Sequence, residues 1–273
     1  MNVREAHVAG RFYPGDPAAL CAEVERCLRS GPGHETAPHP AVAVVAPHAG
    51  YVYSGAIAGR TFASVRVPDR VIVLCPNHTG LGARRSVWSE GAWRIPGRDV
   101  PVDTELAELL IAKTALKADV LAHAREHAVE VQVPLLCARN PSLTLVPICL
   151  ARLSFAECRE LGEGLADVLG ALPRAEQPLI VASTDMSHYI SASDARELDA
   201  LALERICALD AQGLHATVER EGLSMCGYVP TTVALVAARK LGAAGARLIE
   251  YGNSGAVSGD FDQVVGYAGL VVA

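Results

Sequence analysis

The chain has 273 residues, 51% of them hydrophobic, and a net charge of −6 with a pI near 5.8. That length is at the upper end of what one hydrophobic core supports, roughly 250–300 residues, so a single domain spanning 1–273 is expected. No basic cluster favours nucleic acid, no apolar run approaches the roughly 18 residues that cross a bilayer, and the first thirteen residues, which include Arg4, Glu5 and Arg11, lack the apolar stretch of a secretory signal, so a cytoplasmic protein is expected.

Short β-branched runs alternate with longer amphipathic stretches. A helix is predicted over 17–29, followed by a Gly-, Pro- and His-rich loop over 30–40. That loop holds His34 and His39, two imidazoles without evident partners. A strand over 41–46 leads into Pro47-His48-Ala49-Gly50-Tyr51, then a helix over 54–64. A strand over 70–75 leads into Pro76-Asn77-His78-Thr79-Gly80. Trp88 and Trp93, on either side of Gly91, suggest a hairpin over 85–95. Helices follow over 104–115, with Asp103-Thr104 as N-cap, and over 124–138. A strand over 143–147, a helix over 154–169 capped by Ser154, and a strand over 178–182 come next. The last runs into Ser183-Thr184-Asp185-Met186-Ser187-His188-Tyr189. Helices over 193–208 and 229–241 and strands over 246–251 and 264–272 complete the chain. Most strands are continuous apolar runs, the pattern of strands covered on both faces. An α/β domain with a mainly parallel or mixed central sheet, flanked by helices on both sides, is expected.

Three strands thus end in polar turns that carry histidine. Ligands of parallel sheets bind outside the carboxyl ends of strands. If the three are parallel neighbours, His48, His78, Asp185 and His188 converge on one rim. Two imidazoles plus one anionic side chain leave open positions on a metal. A proline one or two residues before His48 and His78 helps aim each ring. Asp185 and His188, three apart, read as ligands or as an acid/base histidine oriented by a carboxylate.

His127 and Glu130 fall three apart at the start of the 124–138 helix, on one face. Neither HExxH nor HxxEH is present, and a solvated helix start is the plain alternative. None of the eight cysteines forms a CxxC pair, and all but Cys226 read as buried reduced thiols. Cys226 precedes a helix whose first turn holds Pro230. There the dipole stabilises thiolate, and Gly227 leaves the approach open. Tyr51, Tyr53 and Tyr189 lie near the rim and line a groove or simply pack. Tyr51, Tyr189 and Asn77 are the candidate substrate contacts.

These motifs together resemble the Memo family, whose prokaryotic branch is called AmmeMemoRadiSam system protein B. The matching segments are Val8-Ala9-Gly10-Arg11-Phe12-Tyr13-Pro14, Pro47 to Tyr51 with Ser54-Gly55, Pro76-Asn77-His78, Glu126-His127 through Glu130 and Pro134, Ser183 to Tyr189, and Cys226-Gly227. They are spread over nearly the whole chain. Ala6, Cys75, Ala128 and Thr184 depart from the family pattern, and none of them is a proposed ligand. The family is similar in fold to class III extradiol dioxygenases. The resemblance implies His48 and His78 as metal ligands and Cys226 as the third, where the dioxygenases carry Glu. It implies His188 as acid/base with Asp185 beside it, and His127 as a further pocket imidazole. It points to iron(II), with copper or zinc as alternatives, and to a radical SAM enzyme and an AMMECR1-type protein as partners. A thiolate ligand biases the site toward redox chemistry and away from ordinary ring cleavage. The expected function is a non-haem iron- or copper-dependent oxidoreductase acting on a small molecule or peptide. The alternatives are a non-catalytic metal- or peptide-binding module and a Cys226-dependent hydrolase.

Overall fold

A computed structural model describes residues 2–29 and 39–273. In chain order the elements are β1 (Val3–Arg4), α1 (Pro17–Arg29), β2 (Ala43–Ala46), α2 (Ala56–Ala63), β3 (Arg70–Pro76), β4 (Arg85–Val87), β5 (Ala92–Ile95), β6 (Arg98–Pro101), α3 (Thr104–Lys113), β7 (Lys117–Ala118), α4 (Val133–Arg139), β8 (Thr144–Leu150), α5 (Phe155–Gly170), β9 (Leu179–Ser183), β10 (His188–Ile190), α6 (Ala192–Cys207), α7 (Ala211–Glu221), α8 (Tyr228–Lys240), β11 (Ala246–Asn253), α9 (Gly255–Ser258) and β12 (Val264–Val272).

The apolar runs become the centre of a mixed sheet ordered β10-β12-β2-β9-β3-β8-β4-β7, with β11 also on β12. Strands β2, β9, β3 and β8 are mutually parallel; β12 and β4 flank them antiparallel. The alternation of side chains splits the core in two. Val45, Ile72 and Leu74 face α3, α5, α6, α7 and α8. Val44, Val71 and Val73 face α1, α2, α4 and the β5–β6 hairpin. Burial on both faces explains why these strands carry no polar residue between their first and last positions, and each large apolar side chain buried there contributes about 1.5–3 kcal/mol. The fold is the expected α/β class, and no helix among the described residues is long and apolar enough to cross a membrane.

Three expectations are corrected. The hairpin is not 85–95. Ala92–Ile95 pairs with Arg98–Pro101, while Arg85–Val87 joins the main sheet beside β8. Pro96-Gly97 makes the turn, with Gly97 at φ +80, the left-handed position that follows a proline in a type II turn. The 124–138 helix is shorter. Glu126 to Val129 is irregular, a 3-10 turn covers Glu130–Gln132, and α4 starts at Val133. Pro134 has no N–H to bond back one turn, so it suits a helix start and not a helix interior. Helix α7 was not anticipated, although Asp210 caps it and Gly222 closes it at φ +65. The expected 30–40 loop, His34 included, lies outside the described residues up to residue 38. His39 donates its backbone N–H to Ser64 O.

Candidate metal centre

The rim forms because β2, β9 and β3 are parallel neighbours with aligned ends; Ala46 pairs Ser183, and Leu74 pairs Ala182. Two residues beyond β2, His48 turns inward and is fully buried. Its backbone N–H donates to Asp185 Oδ1 at 2.8 Å. Its Nδ1 lies 2.9 Å from Ser183 Oγ, and its Nε2 lies 3.3 Å from Cys226 Sγ. Burial, then the nearby His78, pulls its pKa down to about 3, so the ring is neutral.

Two residues beyond β3, His78 is held at both ends by Glu126. The His78 backbone N–H donates to Oε2 at 2.7 Å, and Nδ1 lies 2.9 Å from Oε1. Oε1 also accepts the Ala128 N–H at 2.9 Å. Burial pulls the His78 pKa down, but the Glu126 carboxylate outweighs it and the net direction is up. For Glu126 burial works upward, and the His78 hydrogen bond and charge overcome it, holding the carboxyl at about 2. Glu126 is therefore an ionised acceptor that fixes Nδ1–H of His78 and leaves Nε2 free, the carboxylate–histidine arrangement found behind metal-bound imidazoles. Glu126, His78 and His127 are also close enough to form a donor trio. With three N–H groups already on Glu126, we read the carboxylate as an orienting group.

The third donor arrives from the loop before α8. Cys226 Sγ accepts the Asp185 N–H at 3.3 Å. Gly227 permits that approach, since a Cβ there would sit 2.4 Å from both Ser183 O and Thr184 Cβ. A Gly227→Ala protein is expected to push the loop away and to lose metal affinity as a consequence; unchanged affinity would show that the loop position is unimportant. The thiol differs from expectation. Burial, followed by the Asp185 charge, pushes its pKa well above the ordinary range. The helix dipole does not win, because burial and the Asp185 charge together disfavour the thiolate.

The donor atoms of His48, His78 and Cys226 lie within 4.8 Å of one another. A cation bonded at about 2.1 Å to nitrogen and 2.3 Å to sulfur holds such donors roughly 3.5 Å apart. The trio therefore fits a soft or borderline transition metal, and two imidazoles with one sulfur suit zinc, copper or iron. His127 stacks on His78 with centroids 4.8 Å apart and an interplanar angle of 19°. It meets His48 edge-on at 5.3 Å. Burial, then His48, lowers its pKa to about 4, leaving a neutral imidazole over the site.

The other candidates divide. The buried carboxylate of Asp185 serves the backbone of His48 and makes no hydrogen bond to His188; burial raises its pKa. The backbone N–H of His188 donates to Ser224 Oγ at 2.7 Å, and its Nδ1 is buried without a partner among the described residues. Tyr189 is exposed, at φ +59, where the register between β10 and β12 slips. Tyr51 is not on the rim. It is buried in the core, with its hydroxyl donating to Val131 O. The Asn77 side chain closes its own turn with Leu81 O and Gly80 N, yet the residue lines, with Cys226, Arg152 and Tyr228, a cavity of about 360 Å³. Tyr53 is exposed. Glu130 points away from His127, toward Arg4, because the segment between them is not helical. The sequence reading missed Glu126, Ser183, Gln132 and Asp199 as partners. Asp199 accepts from Ser187 N, Ser187 Oγ and Tyr251 Oη, anchoring the loop before His188. A polar residue at the end of an apolar strand could have flagged Ser183; nothing local flags the rest.

The sign of the Glu126 contribution sets an acid limit. Its folded pKa of about 2 lies below the ordinary 4.5, so its stabilisation is full above pH 4.5 and is lost as pH falls through 2. Roughly 3 kcal/mol is involved. Glu126→Gln is expected to flatten the pH dependence of urea unfolding in that window; an unchanged slope would remove Glu126 from the account. Asp185 and Asp199, both raised by burial, run the other way and offset part of the slope.

Comparison with known sequences identifies the relatives of this chain. A family model described as Memo-like protein matches residues 4–271. A MEMO1 family protein of Methanopyrus kandleri is 43% identical over 279 residues, covering 98% of each chain. MEMO1 family proteins of Methanosarcina mazei, 38% identical and covering all of both chains, and of Aquifex aeolicus, 37% identical over 99% of both, are similar in the same way.

Proposed function

The chain belongs to the Memo family, and from that premise we propose that it is a metal-binding protein, an iron- or copper-dependent oxidoreductase related to the class III extradiol dioxygenases. The observation that carries the reading is the convergence of His48, His78 and Cys226 within 4.8 Å, each from a different loop. An iron or copper ion held there would supply one-electron redox chemistry and an electrophilic centre. The chain supplies the rest. Buried His48 closes the inner side of the site to water. Glu126 keeps the free nitrogen of His78 turned toward the donors. Neutral His127 stands over them, able to accept a proton at a ring nitrogen. His188, whose Nδ1 has no hydrogen-bond partner among the described residues, is the proposed acid/base group. The substrate in this reading is a small molecule or peptide, and the proposed partners are a radical SAM enzyme and an AMMECR1-type protein.

Metal analysis of protein purified without an affinity tag tests the reading. One equivalent of iron or copper supports it, and oxygen uptake during substrate screening separates enzyme from binding module. Metal-free protein that accepts no added metal would end it. A second reading has one contact in its favour. The 3.3 Å approach of Cys226 Sγ to His48 Nε2 is that of a thiol nucleophile and its base. The imidazole on the thiol is then His48, not His188, and His78 and Glu126 are left without a role.

A proton count checks the state of the thiol. Because Cys226 is protonated at neutral pH, loading zinc at pH 8 is expected to release about one proton per metal. Calorimetry in buffers of different ionisation enthalpy reads this directly. No proton release would mean that the sulfur is already thiolate or is not a ligand.

A further inference from the structure

The hydroxyl of Ser183 determines which nitrogen of His48 carries hydrogen. A serine hydroxyl has one hydrogen to donate and two lone pairs to accept with. Three groups meet it here: Ala128 O at 2.7 Å, Gln132 Nε2 at 2.9 Å and His48 Nδ1 at 2.9 Å. A carbonyl only accepts, so Ala128 takes the hydroxyl hydrogen. Gln132 Nε2 only donates, and its orientation is not free. The same nitrogen lies 2.9 Å from Pro47 O, and reversing the amide would set oxygen against oxygen. One lone pair of Ser183 remains, and it faces His48 Nδ1. Nδ1 therefore holds the hydrogen, and Nε2 turns a lone pair toward Cys226 Sγ.

We propose that Ser183, held by Gln132 and the Ala128 carbonyl, is a positioning residue that locks His48 in its Nδ1–H tautomer, so that Nε2 is ready to ligate a zinc, copper or iron ion. Unrestrained neutral histidine favours the opposite tautomer, with hydrogen on Nε2. The lock therefore removes a rearrangement that metal binding would otherwise require. It spans the molecule: Ser183 ends β9, Gln132 precedes α4, and Ala128 follows His127. One hydroxyl thus ties His48 to the segment that orients His78. The purpose of the lock rests on the metal-binding reading, but the tautomer itself does not.

The test is the imidazole nitrogen spectrum of metal-free, ¹⁵N-histidine-labelled protein at neutral pH. His48, assigned by comparison with His48→Gln, is expected to show a protonated Nδ1 and an unprotonated Nε2. Ser183→Ala is expected to give a mixture of tautomers and to weaken cobalt(II) binding, read by thiolate absorption, about 10–100-fold. Ser183→Thr, which keeps the hydroxyl, is expected to restore both signals. A wild-type His48 protonated at Nε2 would overturn the proposal even if Ser183→Ala failed to fold. So would Ser183→Ala protein with wild-type tautomer and cobalt affinity. If wild-type protein takes up no cobalt at all, the metal-binding reading fails, while the nitrogen spectrum still decides the tautomer.

Discussion

His48→Ala protein is expected to lose metal by more than 100-fold in affinity while remaining folded. Losing an outer partner of a metal-bound imidazole typically costs about 10–100-fold, and losing the ligand itself costs more. The fold survives because the change is local. It opens a small cavity and leaves one Ser183 lone pair unused, a loss of about 1–3 kcal/mol. A domain of this size has about 5–15 kcal/mol in hand. His78→Ala is expected to behave alike, with a further effect. The Glu126 carboxylate, buried at 0% exposure, loses its side-chain partner and keeps the His78 and Ala128 amides. Metal content by mass spectrometry and the far-ultraviolet circular dichroism spectrum check both variants. Full metal content in either would refute the ligand assignment.

Arg4→Ala is expected to destabilise the fold by about 3–5 kcal/mol. Arg4 and Glu130 are a buried ion pair, with side chains 1% and 0% exposed. Glu130 also accepts the amides of His7 and Val8, each at 2.9 Å at its closer oxygen, and the Tyr13 hydroxyl at 2.6 Å. Arg4 in turn donates to Glu126 O at 2.6 Å and His123 O at 3.2 Å, and lies 4.5 Å over the Trp93 ring. Removing the guanidinium strands a charge that burial works to neutralise and that Arg4 keeps ionised. The same contacts hold the turn that presents Glu126 and His127, so metal affinity should fall with stability. Urea unfolding at pH 7 reads the first effect and cobalt titration the second. A loss below about 1 kcal/mol would mean that the three remaining donors suffice for Glu130.

His48, His78 and Cys226 show what local reading can place and where it stops. His48 and His78 were legible because an apolar β-branched run followed by Pro and His can be read within ten residues, and strand ends of parallel sheets face one way. Cys226 was legible as a position but not in its chemistry. Its place before α8 suggested a thiolate, and burial, followed by the Asp185 charge, reversed the sign. Tyr51 failed for a similar reason. Nothing in Gly50-Tyr51 states that the π-helical turn over Tyr51–Gly55 drives the ring under the sheet.

Composition and periodicity determined, without coordinates, an α/β fold with three histidine-bearing turns after apolar strands, because side-chain alternation and helix periodicity are properties of neighbours in the chain; the parallel pairing that aligns the ends of β2, β9 and β3 came from the tertiary structure. Only the tertiary structure decided which groups serve those histidines. Glu126 meets His78 across 48 residues, Ser183 meets His48 across 135, and Arg4 meets Glu130 across 126. Protonation and tautomer depend on burial and on the nearest donor or acceptor in space, and neither is set until the sheet has brought distant segments together.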